Sequence, residues 1–138
     1  MRNQNCKLCP LYENVKNVCI WGKGFVPADV MFVGEAPGRN EDCEGRSFVG
    51  QAGKKLDSLI RIGGVVSTYY ITNAVKCRPP NNRKPLPTEI LACSNYFLEE
   101  IRNVKPKLIV TLGISAYLSL FEEILKGSIQ VIKSHGPI

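Results

Sequence analysis

Hydrophobic positions along the chain fall into two kinds of pattern. Short, unbroken apolar runs occur at VMFV (30–33), within TYYIT (68–72) and within KLIVTL (107–112). None of them alternates with period two, as expected for strands covered on both faces. Between the runs, apolar residues recur at helical spacing. Ala52, Leu56, Leu59 and Ile60 form one such stripe, and Gly63-Gly64 stops it. Ile90, Cys93, Phe97, Ile101 and Val104 form another, with Thr88 as the expected N-cap and Pro106 as the stop. A further helix is expected from about Ile114 to Leu125, and a fourth strand at SIQVIK (128–133). Residues 1–28 read as irregular, 34–49 as a long loop and 73–87 as a proline-rich loop.

Strands that alternate with helices predict crossover units and a parallel sheet, hence an α/β fold. In such sheets ligands bind outside the carboxyl ends of the strands, near a topological switch point. The glycine-rich, acid-rich stretch GEAPGRNEDCEGRSFVGQAGKKLD (34–57) follows the first strand, and Asn73 follows the second. Both therefore belong to one edge of the sheet, where a shared pocket is expected.

Composition narrows the class. The 138 residues suit one domain over residues 1–138, large enough to bury a core. With 44% hydrophobic and 22% charged residues the chain reads as globular. Its longest apolar run, LIVTLGI, is too short to span a bilayer, so no membrane association is expected. The start MRNQNCKLCP has no apolar leader segment, which points to a reducing, cytoplasmic setting. In that setting the 6 cysteines are expected as ligands or free thiols, not disulfides. A net charge of +6 is compatible with phosphate contacts but is weak evidence alone.

Cys6 and Cys9 form a C-x2-C pair, and Cys77 and Cys93 lie further along. Four thiolates suit either zinc or an iron–sulfur cluster, and spacing does not separate the two. A metal held in this way would staple the irregular N-terminal segment to the loop after the second strand. A competing reading makes Cys93 a core residue on the apolar face of its helix. Cys19 and Cys43 are rivals for the remaining ligand places.

At this point the motifs resemble a known family, the family-4 iron–sulfur uracil-DNA glycosylases. GEAPGRNEDCEGRSFVGQAGKKLD is similar to its first motif, NAVKCRPPNNRKPLPTEILAC to its second, and KPKLIVTLG to its third-strand segment. The four cysteines match its ligand set, so the resemblance implies a [4Fe–4S] cluster on Cys6, Cys9, Cys77 and Cys93, with zinc the alternative. Cys19 and Cys43 are then non-ligands. It also implies a three-layer α/β/α fold with a central four-stranded parallel sheet, and a monomer.

The activity implied is hydrolysis of the N-glycosidic bond of deoxyuridine in DNA, leaving an abasic site for base excision repair. Such chemistry needs the nucleotide flipped out of the stack. The resemblance assigns Asn73 to the uracil edge, where a side-chain amide matches both O4 and N3–H. Phe48 would stack on the base. Gly34 and Gly38 would let the backbone approach it, and the amides of Glu35 and Ala36 would face a uracil carbonyl. Glu35 would position water or stabilise the sugar's developing charge. Arg78, Arg83 and Lys84 are candidates for phosphate contact. Glu41, Asp42 and Glu44 are expected to be solvated and to face away from DNA.

Two departures bear on these expectations. Ser47 stands where the family has proline, which is expected to loosen the loop. The family's later His-Pro motif is missing from these residues, so the C-terminal part of its fold is expected to be absent. The single histidine, His135 in KSHGPI, aligns with an earlier turn. Three explanations stay open: a piece of a longer enzyme, a weak or inactive truncated form, or catalysis by Glu35, Asn73 and backbone amides alone. Loss of the segment that wedges into duplex favours single-stranded uracil DNA as substrate. The alternative function is a truncated glycosylase-fold module that binds uracil, DNA or a protein without turnover.

Overall fold

The computed structural model describes residues 2–63, 68–113 and 132–133. Its strands are β1 (Lys23–Gly24), β2 (Val30–Gly34), β3 (Tyr69–Asn73), β4 (Leu108–Thr111) and β5 (Ile132–Lys133). Its helices are α1 (Arg39–Glu44), α2 (Gln51–Gly63) and α3 (Pro87–Val104). The strands form one sheet in the order β1-β3-β2-β4-β5. β3, β2, β4 and β5 are parallel, as the apolar runs predict. β1 is an unpredicted addition, antiparallel to β3 at the edge. The expected helix at 114–125, most of SIQVIK and His135 lie outside the described residues.

Strand side chains point alternately to two faces, and each face buries a different set. Met31, Val33, Tyr70 and Ile109 pack with Phe97 and Val104 of α3. Phe32, Ile71 and Val110 pack with Leu56 and Ile60 of α2. Helices thus cover both sides of the sheet, giving three layers. This explains why the strand runs lack alternation: both faces of the sheet bury apolar residues against a helix.

The helix boundaries correct the reading in two places. α3 starts at Pro87, and its N-cap is Leu86 rather than Thr88. The Glu89 carboxylate reaches back to accept the N-cap Leu86 N–H at 2.8 Å, the half of a capping box that the N3 glutamate supplies. At the other end Lys105 adopts a left-handed conformation and donates to the Ile101 carbonyl at 2.9 Å, ahead of Pro106. The predicted loop 34–49 contains α1, whose sequence RNEDCE carries no apolar stripe to reveal it.

The N-terminal segment, irregular as read, is anchored at several points. Leu11 packs with Val75, Cys77, Ile90 and Cys93. Asp42 is buried, and its carboxylate accepts the backbone N–H groups of Lys16 at 3.1 Å and Asn17 at 2.9 Å. The expectation of a solvated Asp42 is therefore wrong: it ties residues 16–17 to α1. Asp42→Ala would leave those two donors without their acceptor, and we expect a loss of about 1–3 kcal/mol. Thermal denaturation reads this directly, and an unchanged Tm would rule the anchor out.

Candidate active site

Three segments meet at the carboxyl edge of the sheet. The loop after β2 supplies Glu35, Ala36 and Gly38. The chain before α2 supplies Phe48. The end of β3 supplies Asn73. A pocket there is lined by Ala36, Glu41, Phe48, Gly53 and Asn73. Gly34, at the end of β2, lies against two of these lining residues, Phe48 and Asn73. A methyl group on Gly34 would stand 2.6 Å from Phe48 Cζ and 2.6 Å from Asn73 Oδ1. Ring and amide therefore converge on a position that has no side chain.

Glu35 sits over the switch point, between the ends of β2 and β4. Its backbone carbonyl accepts the Val75 N–H at 2.9 Å. Its carboxylate lies against Gly113, whose left-handed φ of +104° and lack of Cβ leave room for it.

Phe48 holds a φ of 53°, a conformation that side-chain-bearing residues rarely adopt. Glu41 stabilises the loop around it. One carboxylate oxygen accepts the Gly38 N–H at 2.9 Å. The other accepts the N–H groups of Val49 at 3.0 Å and Gly50 at 2.7 Å. Glu41 thus lines the pocket instead of facing solvent as expected. A glutamate three residues into a helix was its only sequence signal. Glu44 alone of the three acids is exposed as expected, paired with Arg46 at 3.0 Å. Ser47 does not loosen the loop: it is buried and donates to the Trp21 carbonyl at 2.8 Å.

Beneath Asn73 lies a charged pair that sequence reasoning missed. Lys76 and Glu100 are both 0% exposed and form an ion pair. Glu100 also accepts from Gly22 N–H at 2.9 Å, from the Tyr70 hydroxyl and from Thr72. Burial, and then the neighbouring Glu100 carboxylate, push the Tyr70 hydroxyl well above its usual range, which keeps it protonated and donating. Nothing in the local sequence predicts a buried lysine, because its partner lies on another element.

Among the candidate phosphate contacts, Lys84 is exposed. Arg78 is half-buried and donates to Asn82 Oδ1 at 2.7 Å. Arg83 grips Glu89 in a bidentate pair at 2.9 and 2.8 Å, which pulls the Glu89 carboxyl below its usual range.

Cys9, Cys77 and Cys93 share one cluster of packed residues. The Cys77 thiol is pushed up to about 11 and the Cys93 thiol to about 12, chiefly by burial and in smaller part by neighbouring thiols, Cys9 among them. Cys6 is close enough to act on both Cys9 and Cys77. Thiols so placed stay protonated unless a cation takes the proton's place. That donor set fits a thiolate-bound group. Among the described residues, however, no three His, Cys, Asp or Glu side chains close to the spacing that grips a single metal ion. Cys19 is buried beside them and donates its N–H to Cys77 Sγ at 3.2 Å, while Cys43 is exposed on α1.

The profile of the Uracil DNA glycosylase superfamily matches residues 22–137. The chain belongs to that superfamily. It is 46% identical to the type-4 uracil-DNA glycosylase of Sulfurisphaera tokodaii over 134 residues, covering 96% of this chain and 60% of that one. Against the type-4 uracil-DNA glycosylase of Saccharolobus solfataricus it is 48% identical over 122 residues, covering 87% and 56%. Against that of Thermotoga maritima it is 44% identical over 135 residues, covering 97% and 69%. The chain thus spans less than two thirds of the length of the first two relatives. Glycosylase membership agrees with the fold read from the apolar runs, and the type-4 relatives agree with the branch read from the two motifs. No described helix is long and apolar enough to cross a membrane.

Proposed function

We propose that this chain carries the base-binding site of a monofunctional uracil-DNA glycosylase acting in base excision repair. The observation that carries the reading is the convergence of the Asn73 amide and the Phe48 ring on Gly34, in a pocket at the switch edge of the sheet. A flipped uracil would stack on Phe48 and pair its O4 and N3–H with Asn73. Cytosine presents the opposite pattern, and the unpaired amide would then cost about 1–3 kcal/mol per group. As the C1′–N1 bond breaks, the electron pair passes to uracil. The N–H groups of Glu35 and Ala36 would stabilise that anion. The Glu35 carboxylate would orient water toward C1′ or stabilise the positive charge on the sugar.

The thiolates of Cys6, Cys9, Cys77 and Cys93 would hold a [4Fe–4S] cluster, which supplies rigidity rather than bond-breaking chemistry. A zinc ion binds sulfur at about 2.3 Å and draws four thiolates tightly together. A cluster spreads them further apart, which suits side chains that converge without closing around a point. Arg78 and Lys84 would meet phosphates. Arg83, held by Glu89, would mainly brace their loop. We further propose a single domain, monomeric, in a cytoplasm that keeps its thiols reduced.

Uracil release tests the reading. The 138-residue chain, purified without oxygen, is incubated with single-stranded DNA carrying one uracil and then treated with alkali. We expect cleavage, reduced by about 10²-fold or more in Asn73→Ala. Binding of the uracil strand without cleavage would instead make this chain a recognition module. Single-stranded substrate is expected to react faster than duplex, because flipping from a duplex must first unstack the base. Equal rates on the two would refute that preference.

A further inference from the structure

We propose that the buried Lys76–Glu100 pair is a positioning device for the reaction: the Lys76 ammonium clamps the Asn73 carbonyl and so aims the Asn73 amide into the pocket. The inference rests on the reading of Asn73 as the base-recognising residue.

Lys76 Nζ donates to three groups: Thr72 Oγ1 at 2.7 Å, the Asn73 backbone carbonyl at 2.6 Å and Glu100 Oε1. An ammonium has three donors, so all are spoken for. Lys76 therefore has no free donor to offer a substrate, and it is a positioning residue rather than a catalytic one. The contact to Asn73 reaches back three residues and closes the turn at the end of β3. Inside that turn Ala74 N–H donates to the Gly34 carbonyl at 2.9 Å, and Val75 N–H donates to the Glu35 carbonyl at 2.9 Å. One clamp thus braces the backbone of Asn73, Gly34 and Glu35 together.

Stability does not account for the pair. Two charges taken out of water cost more than their attraction commonly returns, and apolar replacements of buried pairs are often neutral or stabilising. What the pair does confer is direction. Glu100 is itself fixed by Gly22 N–H, the Tyr70 hydroxyl and Thr72, so it holds the ammonium at one point under Asn73. The rings of Trp21 and Phe97, at 5.6 and 5.8 Å, complete the socket.

The test compares the parent chain with Lys76→Met/Glu100→Gln, which removes both charges but leaves an acceptor for Gly22 and Tyr70. Val104→Ala, a core truncation on α3, reports what lost stability alone does to turnover. In the double variant we expect kcat for uracil release to fall by about 10²-fold, with KM within about threefold of the parent. Glu100→Gln alone is expected to lower kcat by about tenfold and stands in if the double variant fails to fold. Loss of kcat no greater than in Val104→Ala would overturn the proposal. NMR relaxation of the Asn73 side-chain amide, in the parent and in Glu100→Gln, judges the clamp without any turnover. A lower order parameter in the variant is expected, and an unchanged one would overturn it. A parent that releases no uracil, while Glu100→Gln still loosens this amide, would sink the assigned activity and leave the clamp standing.

Discussion

Gly34→Ala is expected to silence uracil release while leaving the chain folded. The new methyl would lie 2.6 Å from Asn73 Oδ1 and 2.6 Å from Phe48 Cζ, well inside van der Waals contact. Both neighbours are side-chain tips, which move at lower cost than backbone. Overpacking of this kind typically costs about 1–3 kcal/mol. The backbone itself resists little, since Gly34 is an ordinary strand residue at the end of β2. The penalty therefore falls on orientation. An amide and a ring displaced by about 1 Å lose about 10²-fold in rate when they position a reacting group. Uracil release measured beside thermal denaturation separates the two effects. Activity within about threefold of the parent, with the fold intact, would show that Phe48 and Asn73 do not act over Gly34. Gly53 makes the complementary comparison. A methyl there would run into the Phe48 carbonyl, a clash with backbone that must disturb the loop itself.

These contrasts also explain what was legible in the sequence. The apolar runs located β2, β3 and β4 within about a residue, because strands buried on both faces need such runs. α2 and α3 were legible through their apolar stripes. β1 was not, because Lys23 and Gly24 are both exposed and form a strand only by lying along β3. The motif residues Gly34, Phe48 and Asn73 proved to be neighbours, as one sheet edge requires. The acids were misread for a specific reason. Glu41 and Asp42 are satisfied by backbone N–H groups of loops, at Gly38, Val49 and Gly50 for one and at Lys16 and Asn17 for the other. Backbone donors exist at nearly every residue, so composition cannot say which acid will find them. Lys76 failed to register for a related reason, since its burial depends on Glu100, 24 residues away.

The cysteine cluster makes the largest stability prediction. Cys9 belongs to a segment with little regular structure, whose short helical turn at Pro10–Asn14 buries Leu11 alone. Such a segment recovers little of its ordering entropy from its own contacts. Cys77 lies just beyond β3 and Cys93 on α3, so a shared metal group would close a loop across most of the described chain. Small structural thiolate sites contribute on the order of 10 kcal/mol to folding. Even a third of that corresponds to roughly 10 °C in a domain of this size. Cys77→Ser/Cys93→Ser is therefore expected to lose bound iron and its brown absorbance, to melt roughly 10 °C or more below the parent, and to be cut by proteases between residues 2 and 22. Cys43→Ser, on the exposed face of α1, should change none of these. Cys19 gives the sharper control. It donates to Cys77 Sγ through its backbone N–H, a contact that Cys19→Ser preserves. A full iron content in that variant would confirm four ligands with Cys19 outside the set. Iron lost there and kept in a Cys93→Ser single variant would exchange their roles, and would return Cys93 to the apolar core of α3.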